Sequence, residues 1–394
     1  MQDLRNPEFS RHFQTRPRWV FSAPGRTELG GNHTDHQHGH VLAAAVDLDT
    51  RATVAKNDLG CIRVLSEGYP LCRVELDDLA QKSDEAGTTA ALIRGVAARF
   101  AQLGATLEGI DAYVTSTVLP GSGLSSSAAF EVLIGTILNH LFCDAKFTPV
   151  QVAQIGQWAE NVYFGKPCGL MDQTASAVGG VVAIDFADPA APQVRRVELD
   201  LHALGYALCI LDTGADHAAL TDQYAAIPAE MCAVAAVFGK QYLRDVDEAA
   251  FYENLPAVRR AAGDRAALRA MHFFDDDRRV TQQADALSRG ELDRFLRLVN
   301  ESGRSSWLYL QNVVPLGATR GQHMALALAL AEKLLGGRGA CRVHGGGFAG
   351  TIQAFVPLDA LEHFRRGMEA VLGAGSCHIL SVRPEGGVLL EEYA

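Results

Sequence analysis

Apolar positions at Phe130, Leu133, Ile134, Ile137, Leu138 and Leu141 recur with the 3.6-residue period of one buried helix face. The segment feeding this helix, Leu119-Pro-Gly-Ser-Gly-Leu-Ser-Ser-Ser-Ala128, is a Gly- and Ser-rich loop. Before it, Val41–Val46, Arg51–Lys56, Cys61–Leu65 and Ala112–Leu119 carry β-branched and alternating apolar residues that predict strands. A second helix is predicted from Thr148 toward Tyr163: Thr148 suits the N-cap, Pro149 the first turn, and Gln151 completes a capping box. Gly165–Gln173 then forms a tight loop. The polar stretch 185–200 holds two prolines and places a domain boundary near 190–205. Beyond it, Tyr206–Leu211 and Thr351–Val356 predict strands, with helical stretches between them and a glycine loop at Gly345–Gly350. The pattern gives two units, 1–200 and 201–394, as expected for a chain too long for one ordinary core.

A loop at a helix N-terminus meets free N–H groups and the positive end of the macrodipole, so it favours an anion. Gly121 and Gly123 let the backbone curl closely, and Ser125, Ser126 and Ser127 add hydroxyls for phosphate or a metal. No Lys follows the glycines, which excludes the Lys-containing P-loop pattern. A Ser-capped turn would carry similar letters; three consecutive Ser followed by small residues weigh toward phosphate.

Composition narrows the class. With 48% hydrophobic and 21% charged residues the chain is globular. A net charge of −11 argues against a nucleic-acid or membrane-surface partner, yet leaves room for a phosphate site built from amides and Mg²⁺. The eight cysteines are scattered without a C-x-x-C pair, which suits reduced thiols and a cytoplasmic location. The N-terminus lacks the apolar core of a signal peptide, and the helix candidate at 323–335 is too short and too charged to span a bilayer.

Two other segments hold concentrated chemistry. Ala23–His40 packs Arg26, Glu28, Asn32, His33, Asp35 and further imidazoles into a glycine-rich loop, a set that suits a polyhydroxylated ligand. Its four histidines do not follow a zinc-site spacing and no Cys lies near them. The other segment is Gly169-Leu-Met-Asp-Gln173, with Glu160 upstream near a helix end. Alone, Asp172 would be a turn residue and Glu160 a solvated one.

In order, these three segments resemble the GHMP small-molecule kinases, and within them the galactokinase family. Ala23-Pro-Gly-Arg…Gly-x-His-Thr-Asp35 is similar to the galactokinase signature, Pro120–Ala128 to the ATP-phosphate motif, and Cys168–Gln173 to the catalytic segment. Arg342 with Gly345–Gly350 resembles the third motif, and Ala270-Met271-His272, Arg279-Val280 and Gln223-Tyr224 are weaker matches. The resemblance implies an α+β, two-domain fold, with an N-terminal domain like ribosomal protein S5 domain 2 and a ferredoxin-like C-terminal domain. It implies ATP and Mg²⁺, a sugar phosphorylated at its anomeric hydroxyl, and a monomer. Asp172 would be the base and Arg26 its charge-stabilising neighbour. Gly121, Ser122, Gly123, Leu124, Ser125, Ser126, Ser127 and Ala128 would wrap the phosphates, Ser127 and Glu160 would hold Mg²⁺, and Asn32, His33, Asp35, Gly169 and Tyr224 would line the sugar site.

The sequence departs from that pattern in ways that bear on the sugar. Asn32 stands where galactokinases usually carry a Glu, Glu28 where an Asn is usual, His36 where a Tyr is usual, and His344 where a Thr precedes the last glycines. Thr89 and Leu92 replace the Trp and Tyr that commonly help hold adenine. A carboxylate bond to a hydroxyl is worth about 1.5–3 kcal/mol and an amide bond roughly half, so Asn32 opens galacturonate as an alternative substrate to galactose. A sugar- and ATP-binding regulator without turnover is the alternative from another class.

Overall fold

The computed structural model describes residues 6–118, 123–214 and 220–393. Among the described residues twelve strands form two sheets: β1 (Trp19–Gly30), β2 (His40–Asn57), β3 (Cys61–Ser66), β4 (Cys72–Glu75), β5 (Gly109–Ser116), β6 (Val181–Asp185), β7 (Gln193–Val197), β8 (Tyr206–Asp212), β9 (Ala340–Val343), β10 (Thr351–Pro357), β11 (Cys377–Leu380) and β12 (Val388–Glu392). The larger sheet runs β12-β1-β2-β5-β3-β4, with β6 also on β2 and β7 on β6. The smaller is antiparallel in the order β11-β8-β10-β9, the arrangement of a ferredoxin-like unit. This is the expected two-domain α+β architecture. Its last strand crosses the expected 1–200/201–394 division, because β12 pairs with β1.

The two strands expected over 41–56 are one, β2, of 18 residues. The polar Asp47–Asp49 stretch looked like a break, but β2 changes partner there. His40–Ala44 pairs with β6, and Thr50–Asn57 pairs with β5. β5 starts earlier than expected and ends at Ser116, since its pairing with β2 begins at Asn57↔Gly109 and stops at Thr50↔Ser116; Leu119 lies outside the described residues. The 185–200 stretch is not a plain connector, because Gln193–Val197 makes an antiparallel pair with β6.

The helix Ser126–Cys143 buries Val132, Leu133, Ile134, Ile137 and Leu138 against the large sheet. Among the described residues it is the helix long and apolar enough to match a membrane span, rather than 323–335, and 61% of that window is buried in the fold. A second apolar cluster joins the sheets: Leu29, Leu42 and Val46 from the large sheet meet Leu208, Ile210 and Phe355 of the small one, with Val280 and Phe295 from the covering helices. The strand carrying the candidate site therefore lies against both halves. All eight cysteines are free thiols.

Candidate active site

Arg26 and Glu28 stand two residues apart on β1, so they project from the same face. The β1–β2 register shifts on either side of this pair, between Pro24 and Arg26 and between Glu28 and Gly30. Such irregularities re-aim side chains at functional sites. Arg26 makes a bidentate ion pair with Asp172, Nε to Oδ1 at 2.7 Å and Nη2 to Oδ2 at 2.7 Å. Its backbone N–H donates to Leu124 O and its Nη1 to Gly123 O, which ties the strand to the Gly/Ser loop.

Asp172 does not sit in the expected loop. It lies in the first turn of the helix Met171–Val178, whose dipole favours a carboxylate. The Ser125 hydroxyl also donates to Asp172 Oδ2. Burial alone would raise the Asp172 pKa; the Arg26 charge and hydrogen bonds, with Ser125 and Lys166, outweigh it and hold the group below its ordinary value.

Ser125 has φ 56°, a left-handed conformation unusual for a residue with a side chain. The kink it makes starts the helix Ser126–Cys143 and turns the loop toward Arg26 and Asp172. Leu124 and Ala128 are buried, so their offer to a ligand is backbone only. Gly121 and Ser122 of the expected phosphate loop lie outside the described residues.

The second predicted helix begins with the expected Thr148–Gln151 capping box, but its regular part ends at Ala159. Glu160–Phe164 is a π-helical turn, and the extra residue it accommodates brings Glu160 toward Ser127. Ser127 Oγ donates to Glu160 Oε1 at 3.3 Å, and Lys166 Nζ lies 3.2 Å from the same oxygen. Gln173 Nε2 bridges Glu160 Oε2 at 2.8 Å and Glu131 Oε2 at 2.9 Å, while burial pushes the Glu131 carboxyl well above its ordinary pKa. The sequence reading gave Lys166, Gln173 and Glu131 no role of their own. The hydroxyl of Ser127 and the carboxylate of Glu160 are hard oxygen donors within reach of one cation. Mg²⁺ takes few protein ligands when phosphates supply the rest, so the pair fits that ion.

The sugar-side residues converge from distant segments. His33, also left-handed at φ 63°, donates from Nε2 to Gly346 O at 3.0 Å. Burial lowers its pKa to about 3, so the ring is neutral, and its buried Nδ1 is an acceptor without a partner among the described residues. Asp35 takes the His36 N–H at 2.9 Å. Gly169 packs so closely on Asp35 Oδ2 that a Cβ there would overlap it. Tyr224, on the helix Thr221–Val237, sets its ring 5.1 Å from His33 at a tilt of 55° and meets His36 Nε2 at 3.3 Å. A cleft of about 100 Å³ is lined by Arg26, Glu28, Asn32, His33, Asp35 and Asp172, with Glu160, Lys166, Gly169 and Tyr224 also on its wall.

Asn32 lines this cleft but is only 1% exposed. Its N–H donates to Asp276 at 2.9 Å and its carbonyl meets His272 Nε2 at 3.0 Å. The weaker matches at His272 and Arg279 thus belong to a brace, since Arg279 in turn holds Asp276. His344 is a neutral buried link between Thr27 at 3.0 Å and Thr351 at 2.9 Å, behind the Gly123 turn.

Residues 7–56 match the galactokinase galactose-binding signature, and residues 91–180 match the N-terminal domain of GHMP kinases. The galactokinase of Streptomyces coelicolor is 32% identical over 386 residues, covering 96% of each chain. The chain belongs to the galactokinase family. A galactokinase of Actinobacillus pleuropneumoniae is 31% identical over 93% of this chain and 92% of its own. The solved galactokinase of Lactococcus lactis in complex with galactose superposes with a TM-score of 0.83 at 25% identity, covering 97% of this chain and 98% of that one. A mevalonate kinase shares the fold at a TM-score of 0.64 and 11% identity. Like other members of the galactokinase family, the chain is an ATP-dependent sugar kinase.

Proposed function

We propose that this chain transfers the γ-phosphoryl group of ATP to the anomeric hydroxyl of galactose. The observation that carries this reading is the Arg26–Asp172 pair, held at the meeting point of the sugar loop and the Ser125 turn. In the reaction the anomeric oxygen bonds to the γ-phosphorus, the bond from that phosphorus to the bridging oxygen breaks, and ADP leaves. The hydroxyl proton passes to the Asp172 carboxylate. A carboxylate held below its ordinary pKa is a weak base. That suffices here, because phosphoryl transfer relies mainly on positioning and charge neutralisation. Arg26 fixes Asp172 and places a cation beside the transferred group.

The first-turn amides and hydroxyls of the helix Ser126–Cys143 would cradle the phosphates, and Ser127 and Glu160 would hold Mg²⁺. The metal supplies charge neutralisation on the β- and γ-phosphates when bound. One chain carries every group named, so the reading needs no second subunit, and it suits a cytoplasm, where ATP is available. Arg26, Ser127, Glu160 and Asp172 are all in contact with their partners, which favours turnover over a regulator that only binds. The test is a panel of hexoses and uronic acids with ATP and Mg²⁺, followed by phosphorus NMR. Galactose 1-phosphate is the expected product, and no product from any sugar would overturn the reading.

A further inference from the structure

Hydrogen-bond capacity separates two side chains in the sugar half of the cleft. A neutral amide has two N–H donors and one oxygen with two acceptor positions. All four are filled at Asn32. Nδ2 donates to Gly345 O at 2.7 Å and to Glu28 Oε1 at 3.2 Å. Oδ1 accepts from Asn312 Nδ2 at 2.8 Å and Ser306 Oγ at 3.2 Å. Asn32 has nothing left to give a ligand.

Glu28 is the reverse case. Its Oε1 takes Arg342 Nη2 at 2.5 Å as well as Asn32, while Oε2 accepts no hydrogen bond among the described residues. Glu28 lines the cleft and shares the β1 face of Arg26. Arg342 and Asn32 together hold one carboxylate oxygen, which leaves the other oriented and unfilled.

Charge pairing in the same cleft points to the class of ligand. Among the described lining residues, Arg26 is paired with Asp172 and Lys166 with Glu160, and Arg342 behind the wall is paired with Glu28. Asp35 remains without a basic Arg or Lys partner. A ligand carboxylate would meet surplus negative charge and no unpaired cation.

We propose that Glu28, not Asn32, is the side chain that reads a sugar hydroxyl away from Asp172, and that the cleft thereby selects a neutral hexose over its uronic acid. The proposal rests on the sugar-kinase reading above. It removes the premise of the galacturonate alternative: the carboxylate absent at position 32 is present at position 28, bonded to the amide that replaces it.

The first measurement is kcat/KM of the unmodified enzyme for galactose against galacturonate, and a preference of about a hundredfold or more for galactose is expected. Comparable values for the two sugars would overturn the proposal while leaving the kinase reading intact. No turnover of any neutral hexose would overturn both. The second is Glu28→Gln, assayed with galactose and a series of monodeoxygalactoses. A fall in kcat/KM of roughly 10–100-fold, mostly through the galactose KM with the ATP KM unchanged, is expected. One deoxy sugar should lose its penalty in the variant, because the group that read its missing hydroxyl is gone. If every deoxy sugar keeps the penalty it has with the unmodified enzyme, Glu28 touches no hydroxyl and the proposal fails.

Discussion

At the proposed phosphate site beside the cleft, Gly123 to Ala128 supply a turn, three hydroxyls and a helix N-terminus from six consecutive residues. On the sugar side, Asn32 alone takes partners 244, 280 and 313 positions away in the chain. The phosphate side needs only backbone geometry and small residues, so a short stretch can encode it. The sugar side must place acceptors around a ligand of fixed shape, and it does so by clamping one loop between the long helix Asp264–Ser288, the Gly345–Gly346 carbonyls and Asn312. Local construction gives a phosphate cradle; remote construction joins Arg26 to Asp172 and shapes the sugar side.

Substitutions can break each half separately. Asp172→Asn should have the largest effect, lowering kcat by about 10²–10⁴ while leaving ATP affinity nearly intact, as measured by steady-state kinetics and nucleotide binding. Turnover retained within threefold, roughly the scatter of such rates, would remove Asp172 from the role of base.

Next is the Asp276 brace. Burial would raise its carboxyl, but His272, Arg279 and Arg342 outweigh that and lower it from 3.8 to about 2. A depressed acid stabilises the fold above its unfolded pKa and loses that contribution as pH falls through its folded pKa. The contribution is about 2 kcal/mol at neutral pH and disappears between about pH 4 and 2. In urea titrations, the stability gap between the unmodified protein and Asp276→Asn should therefore narrow across that window. A gap that stays constant would mean the charge of Asp276 does not hold the sugar loop.

Gly169→Ala should be the mildest. Its Cβ must push Asp35 aside, and overpacking of this kind costs about 1–3 kcal/mol. The galactose KM should rise about tenfold with the ATP KM unchanged. Equal changes in both would show that residue 169 serves the two halves together.

The same contrast explains what the sequence disclosed. Thr148 and Gln151 announced a capping box because both partners lie within one turn. Arg26, Ser127 and Asp172 stood out because each sits in a compact run of unusual letters, whereas Glu160 entered only through the family resemblance. The π-turn at Glu160 was not, since the apolar pattern of 149–163 continues through it while the backbone widens. The continuity of β2 was hidden by Asp47–Asp49, because a change of partner strand leaves no mark on the residues that make it. Asn312 and Ser306 carried no signal at all. Ser306 opens a π-helical turn and Asn312 lies in the loop after it, and only the folded chain brings them to Asn32. The replacement of Glu by Asn at position 32 was visible, but its meaning depended on a bond to Glu28 that spacing cannot display.

The pairing of β12 with β1 has a consequence in time. Strand β1 carries Arg26 and Glu28, and its Trp19–Ser22 half is flanked on one side by Val388–Glu392. A chain made from its N-terminus leaves that flank bare until Val388–Glu392 has been synthesised. Closing so distant a contact is slow, and the open strand edge is exposed to wrong pairing meanwhile. The strand that carries Arg26 and Glu28 is thus made well before the partner that completes its edge.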